Sequence, residues 1–216
     1  MKEHLNMEIL ELKEGDSQYP SKIKKYLDDH APKSIGALGD LGILKGKILG
    51  FFCSVKCPGH LILKTHDLAQ QLKKANVTVI GGFHSPIERE CLRILLRGTQ
   101  PIIICPARSL GGMHIRVEHK KAIEKGRLLL LSPFKETQRR NTIETAMERN
   151  RFAVALADAV FVAHASSNSK METICHEVVK SGKPLYTFES EANKFLINIG
   201  AKTSSPNLDV FRSNLA

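Results

Sequence analysis

Arg149-Asn150-Arg151 places two guanidinium groups around an amide in one short run. Arginine forks clamp phosphates through paired hydrogen bonds, so the run suits a phosphate-bearing ligand; the ordinary alternative is a solvated helix face. Ser166-Ser167-Asn168-Ser169, followed by Lys170, offers hydroxyls and free N–H groups at a helix start. The competing reading there is N-cap chemistry, with Ser169 as cap and Glu172 as its capping-box partner. Gly81-Gly82, ahead of His84 and Ser85, lets backbone approach a ligand closely or makes a tight strand-to-helix turn. Lys56, His60, Arg108, Arg139 and Arg140 add basic groups in other connections. Cys53-x-x-x-Cys57 with nearby His60 lacks the C-x-x-C knuckle and no second pair follows, so no metal site is expected. There is no G-x-S-x-G nucleophile elbow and no G-x-G-x-x-G dinucleotide fingerprint, so neither a nucleophilic triad nor a cofactor is expected.

These residues need a scaffold, and the apolar pattern supplies one. Short continuous apolar runs at 48–52, 77–80, 102–105, 128–131, 159–163 and 185–188 read as strands buried on both faces. Amphipathic stretches near 61–75, 86–97, 115–125, 143–156 and 171–180 alternate with them. Ser85, Pro86 and Glu88 look like an N-cap, a first-turn proline and a capping-box acid, while Gly98, Gly126 and Gly182 follow helix-like stretches as C′ glycines do. The rhythm predicts an α/β fold: a Rossmann-like, doubly wound, mostly parallel sheet with helices on both faces. Residues 1–46 form a short helical and looped preamble packed on the core, 47–200 the Rossmann-like domain, and 201–216 a polar tail. In such a sheet ligands sit beyond the carboxyl ends of the strands, which is where the basic connections fall.

Lys and Arg outnumber Asp and Glu by 32 to 22, a formal charge of +10, which favours an anionic partner, nucleic acid first. No run of about 18 apolar residues occurs, and the first residues lack an apolar leader core, so a cytoplasmic chain without a membrane span is expected. Its 5 cysteines, an odd number without framework spacing, are expected to stay reduced.

Three segments together resemble the core of the DNA-processing protein A (DprA/Smf) family. Tyr19-Pro20, then glycines before Leu44 and a strand at Ile48, resemble the start of that core. The stretch from Thr78 to Glu88 is similar to the family's V-V-S-G-L-A-R-G-I-D. Arg149-Asn150-Arg151-Phe152-Ala153-Val154-Ala155-Leu156-Ala157-Asp158-Ala159 looks like its R-N-R-x-x-x-x-L-S-D-A. The similarity extends over roughly residues 11–200. It implies a homodimer that binds single-stranded DNA, loads a recombinase and performs no catalytic step. The chain departs from the family where G-S/T-R becomes Phe51-Phe52-Cys53, where Ser85 replaces an arginine, and where G-S-G-S becomes Ser167-Asn168-Ser169. Phosphate-binding groups are thereby lost, and weaker DNA binding than the family's is expected.

Two other readings share the pocket. Cytokinin-activating phosphoribohydrolases carry R-K-x-x-M…S-D-A followed by P-G-G-x-G-T-x-x-E. Counting from Asp158, Arg149 falls on their arginine and Glu172 on their catalytic acid, which would support N-glycosidic cleavage. His164-Ala165-Ser166-Ser167-Asn168-Ser169 replaces their proline and every glycine. A small-nucleotide sensor is the third reading. The leading expectation is phosphate binding by Lys56, Gly81, Gly82, His84, Ser85, Arg108, Arg149, Asn150, Arg151, Ser167, Ser169 and Lys170, with single-stranded DNA or nucleotide phosphates as ligand.

Overall fold

Each apolar run becomes a strand of one sheet. The computed structural model describes residues 8–203. Its strands are β1 Leu10–Lys13, β2 Ser34–Gly39, β3 Ile48–Phe52, β4 Thr78–Gly81, β5 Ile102–Ile104, β6 Leu128–Ser132, β7 Ala159–Val162, β8 Leu185–Thr187 and β9 Lys202–Thr203. The helices are α1 Ser21–Leu27, α2 Gly59–Leu72, α3 Pro86–Leu95, α4 Val117–Glu124, α5 Ile143–Leu156, α6 Lys170–Lys180 and α7 Lys194–Asn198. The strand order is β1-β2-β6-β5-β4-β3-β7-β8-β9, parallel from β6 through to β9. This is the doubly wound, Rossmann-like arrangement that the alternating pattern predicts.

Strand alternation divides the core in two. Leu49, Phe51 and Cys53 face one apolar layer with α2, α3 and α4 residues such as Leu68, Cys91 and Ile123. Ile48 and Phe52 face the other, with Ile23 of α1, Phe152 of α5 and Ile174 of α6. Covering both faces is what allows β3, β4, β6 and β7 to be buried along their whole length.

The first 46 residues differ from the expected helix and loop. α1 is there, and β1 and β2 add antiparallel strands to the edge beside β6. Ser34-Ile35-Gly36-Ala37-Leu38-Gly39 carries two glycines, which weaken intrinsic strand preference; tertiary pairing overrides it. Gly39 has φ +124, and a Cβ there would lie 2.4 Å from the Leu128 carbonyl oxygen, so β2 reaches β6 only with glycine at this position. Tyr19 of the Tyr-Pro pair is buried and its hydroxyl donates to the Pro32 carbonyl at 2.6 Å, closing the preamble on itself. Asp158, just before β7, accepts from the Ile48 N–H at 2.9 Å and from Lys22 Nζ, so it fixes the start of β3 and the seat of α1. Of the expected tail, Lys202–Thr203 forms β9, and residues 204–216 lie outside the described residues, as do residues 1–7 of the preamble. Among the described residues no helix is long and apolar enough to cross a membrane.

Candidate nucleic-acid interface

The strand order reverses between β3 and β7, and the crevice between connections that leave a sheet in opposite directions is the usual ligand seat. Here the two connections are stitched together. The Ser54 N–H donates to the His164 carbonyl at 2.9 Å, the Ser166 N–H to Ser54 Oγ at 3.1 Å, and Ser166 Oγ to the Lys56 carbonyl at 3.4 Å. Below them His164 Nδ1 meets Asn193 Oδ1 at 2.9 Å, in a buried network that also ties the Asn193 amide to Ala163 and Thr187. Polar groups that would turn toward a ligand are spent on one another.

The helix starts at this edge are filled as well. Ser85 caps α3 by accepting from the Glu88 N–H at 3.3 Å. The Glu88 carboxylate, buried, accepts from the His84 N–H at 2.8 Å, the Ser85 N–H at 3.1 Å and the Cys53 N–H at 2.8 Å. A carboxylate of the chain thus occupies the amides that would receive a phosphate at this helix start. At α6, Ser169 Oγ accepts from the Glu172 N–H at 3.2 Å, and the Glu172 carboxylate accepts the Asn168 N–H. Asn168 takes φ +57 to make that turn. Local capping, rather than contact with a reacting ribose, accounts for the position of Glu172.

Basic groups gather instead over β4, β5 and β6. A cleft of about 740 Å³ is lined by Gly82, His84, Arg108, Arg149, Asn150 and Lys170, together with Arg89, His114, Arg116, His119 and Asn141. No Asp or Glu is among its lining residues. Arg149 is its anchor. The side chain rises from α5, is 5% exposed, and its Nη1 donates to the Cys105 carbonyl just past β5 at 3.1 Å. Its Nε is buried without a hydrogen-bond partner. Burial pulls the guanidinium below its ordinary value, opposed by nearby Glu88, yet arginine stays charged at any physiological pH. The guanidinium lies across Gly82, where a Cβ would stand 1.2 Å from Nη1. Gly82 is glycine to admit Arg149, while Gly81 is glycine because a Cβ would meet the Phe51 carbonyl oxygen at 2.8 Å. Arg108 bends back on its own connection, with Nε and Nη2 each 3.3 Å from the carbonyls of Ser109 and Gly111. A second trench of about 650 Å³ continues from the cleft past Phe83, Arg89 and His119.

The expected site residues therefore divide. Gly82, His84, Arg108, Arg149, Asn150 and Lys170 are brought together. Ser85 and Ser169 serve as helix caps, Ser167 is exposed on its connection, and Lys56 lies exposed on the connection after β3, outside the cleft. Arg151 is placed elsewhere: its Nε and Nη2 form a fork on the Glu177 carboxylate at 2.9 and 2.7 Å, beside a different groove between α1, α5 and α6. Residues two apart on a helix project about 200° apart, so Arg149 and Arg151 have no common ligand face. Sequence reading missed Arg89, His114, Arg116 and His119. Placing the start of α4 at Ile115 hid the basic residues of a connection that runs on to Arg116. His60 meets Ser190 Oγ at 2.9 Å, and among the described residues no group of three or more His, Cys, Asp or Glu side chains is placed to hold a metal.

Against this geometry stand the likenesses to known proteins. The family model described as DNA recombination-mediator protein A matches residues 12–210. DNA processing protein A from Streptococcus pneumoniae superposes with a TM-score of 0.79 at 19% identity, over 95% of this chain and 74% of that one. DNA processing protein A from Helicobacter pylori, whose structure addresses its single-stranded DNA binding mode, gives 0.76 at 21%, over 97% and 96%. The molybdenum cofactor binding protein of Rippkaea orientalis gives 0.56 at 11%, over 79% and 98%, a likeness of fold. No curated protein matches the chain in sequence.

Proposed function

The chain belongs to the DNA recombination-mediator protein A family, and from that premise we propose that it binds single-stranded DNA in the basic cleft over β4, β5 and β6. The carrying observation is Arg149: a buried charge, fixed on the Cys105 carbonyl and against Gly82, whose side chain lines an open cleft while its buried Nε has no hydrogen-bond partner. A buried guanidinium with unmet donors is costly unless an anion completes it. Arg89, Arg108, Arg116 and Lys170 add positive charge along the same cleft, which suits successive phosphates of a flexible strand. The self-capped starts of α3 and α6 argue against a nucleotide phosphate seated on helix dipoles, and so against both the phosphoribohydrolase and the sensor reading.

Anisotropy of labelled oligo-dT tests the reading. Binding at low salt that weakens linearly in log Kd against log salt is the expected result. No binding at low salt, or release of free base from mononucleotides, overturns it. A cytoplasmic homodimer and a recombinase contact belong to the same proposal. Sedimentation velocity and co-sedimentation with a recombinase filament test them.

A further inference from the structure

The trench of about 650 Å³ beside the cleft is continuous with it: Gly82, Phe83, Arg89, Ile104, Arg116 and His119 line both. Away from that shared rim the walls differ. The cleft is bounded by Arg108, Arg149 and Lys170. The trench runs between α3 and the start of α4, past Ile62 of α2, Pro86 and Leu92 of α3 and Leu96 just beyond it, over Ile104 of β5. Ile62 is exposed and Leu96 half-buried. Two carboxylates stand on the trench, and each has an arginine of the same trench beside it. Arg93 Nη1 meets Glu90 at 2.6 Å, and Arg116 Nη1 lies 3.8 Å from Glu118. Phe83, at the junction, takes φ +48, a left-handed conformation that a bulky side chain adopts only where its surroundings impose it. Backbone strain of this kind gathers at ligand sites.

We propose that the trench receives nucleobases of the strand whose phosphates lie in the cleft. The inference rests on the DNA-binding reading and adds where the bases go. A single strand offers two unlike edges: a charged phosphodiester and flat base faces that splay outward once unpaired. Arg89 and Arg116 on the shared rim hold phosphates at the mouth of the trench. Bases turned inward from there shed water against Ile62, Leu92, Leu96 and Ile104. A volume of about 650 Å³ is that of an ordinary pocket for a small organic ligand, with room for a base. Every base has such a face, so this contact tolerates any sequence.

A comparison of two oligomers of equal length and charge isolates the bases. Anisotropy is measured with oligo-dT and with an abasic oligomer carrying tetrahydrofuran in place of each nucleoside. The wild-type chain is expected to bind oligo-dT at least about tenfold more tightly. Ile62→Glu, at an exposed position in the first turns of α2, is expected to weaken oligo-dT by at least about threefold more than it weakens the abasic oligomer. Oligo-dT containing 4-thiothymidine is then photo-crosslinked to the wild-type chain and the product digested with trypsin. Adducts are expected on peptides 57–64 and 94–97, which carry Ile62 and Leu96. Equal affinity of the wild type for the two oligomers, equal losses for both in Ile62→Glu, or adducts absent from both trench peptides overturns the proposal. Adducts confined to the cleft peptides 109–116 and 141–149 would do so while leaving DNA binding in the cleft intact. Failure of the wild type to bind either oligomer at low salt overturns the DNA-binding reading itself, and this inference with it.

Discussion

Replacing Gly82 by alanine tests the seat of Arg149. The added Cβ would lie 1.2 Å from Nη1, 1.9 Å from Cζ and 2.6 Å from Nη2 of Arg149. Gly82 is not among the positive-φ glycines, so alanine suits the backbone and the whole penalty falls on the guanidinium. The guanidinium must shift by about 2 Å to reach van der Waals distance, which breaks its 3.1 Å bond to the Cys105 carbonyl. A buried hydrogen bond from a charged donor is worth about 1.5–3 kcal/mol. The entropy gained on replacing glycine returns about 0.4–1 kcal/mol. The net loss is about 2 kcal/mol, or a fall in Tm of about 4–8 °C for a chain of this size. The displaced guanidinium no longer presents its donors to the cleft, and oligo-dT affinity falls about 10-fold to 100-fold on the same energy scale. Thermal unfolding and anisotropy are measured in a double-mutant cycle with Arg149→Ala. In that background the steric conflict is gone, and Gly82→Ala is expected to cost less than about 0.5 kcal/mol. Equal losses in both backgrounds, or a single variant with unchanged Tm and affinity, refute the reasoning.

The R-N-R run is expected to divide in function: Arg149→Ala weakens oligo-dT about 10-fold to 100-fold, while Arg151→Ala changes it less than about threefold, as measured by anisotropy. Arg151→Ala loses only a partly exposed ion pair with Glu177 and lowers stability by no more than about 1 kcal/mol in urea titration. Oligo-dT affinity is expected to rise as pH falls from about 8 to 6. Burial holds the free His119 imidazole below its ordinary value, and an anion in the cleft raises it, so binding takes up a proton and tightens on acidification; His119→Gln flattens the profile. Lys183→Met is expected to lower Tm by about 4–8 °C, because Lys183 Nζ donates to the carbonyls of Val154, Ala155 and Ala157 at the end of α5 and sits 4.6 Å from the Tyr26 ring centroid.

The core strands were legible in sequence because strands buried on both faces must be continuously apolar. Ile48–Phe52 and α5 at Ile143–Leu156 match the expected bounds, and the Ser85–Glu88 capping box forms as its spacing demands. β1 and β2 were not legible. A glycine-bearing segment pairs only because β6 offers an open edge, and that edge exists only in the assembled sheet. The basic character of this edge was also legible, since basic groups fall in the connections beyond the strand ends whatever the strand order.

Which groups line the cleft was decided by the tertiary structure. Glu88 reads in sequence as a helix-capping acid, and only the fold brings the Cys53 amide to it and turns it into an internal anion. Ser54 and Ser166 are 112 residues apart, so their bond, which closes the switch-point crevice, has no local signal. The strand order that sets β4 beside β5 puts Arg89 of α3 and Arg116 ahead of α4 on the rim of one cleft. Arg149 and Arg151, two residues apart in the motif, part company because helix geometry turns one toward Gly82 and Cys105 and the other toward Glu177. Local pattern determines which elements form and what charge they carry. Long-range packing decides which of those charges find partners within the chain and which are left for a ligand.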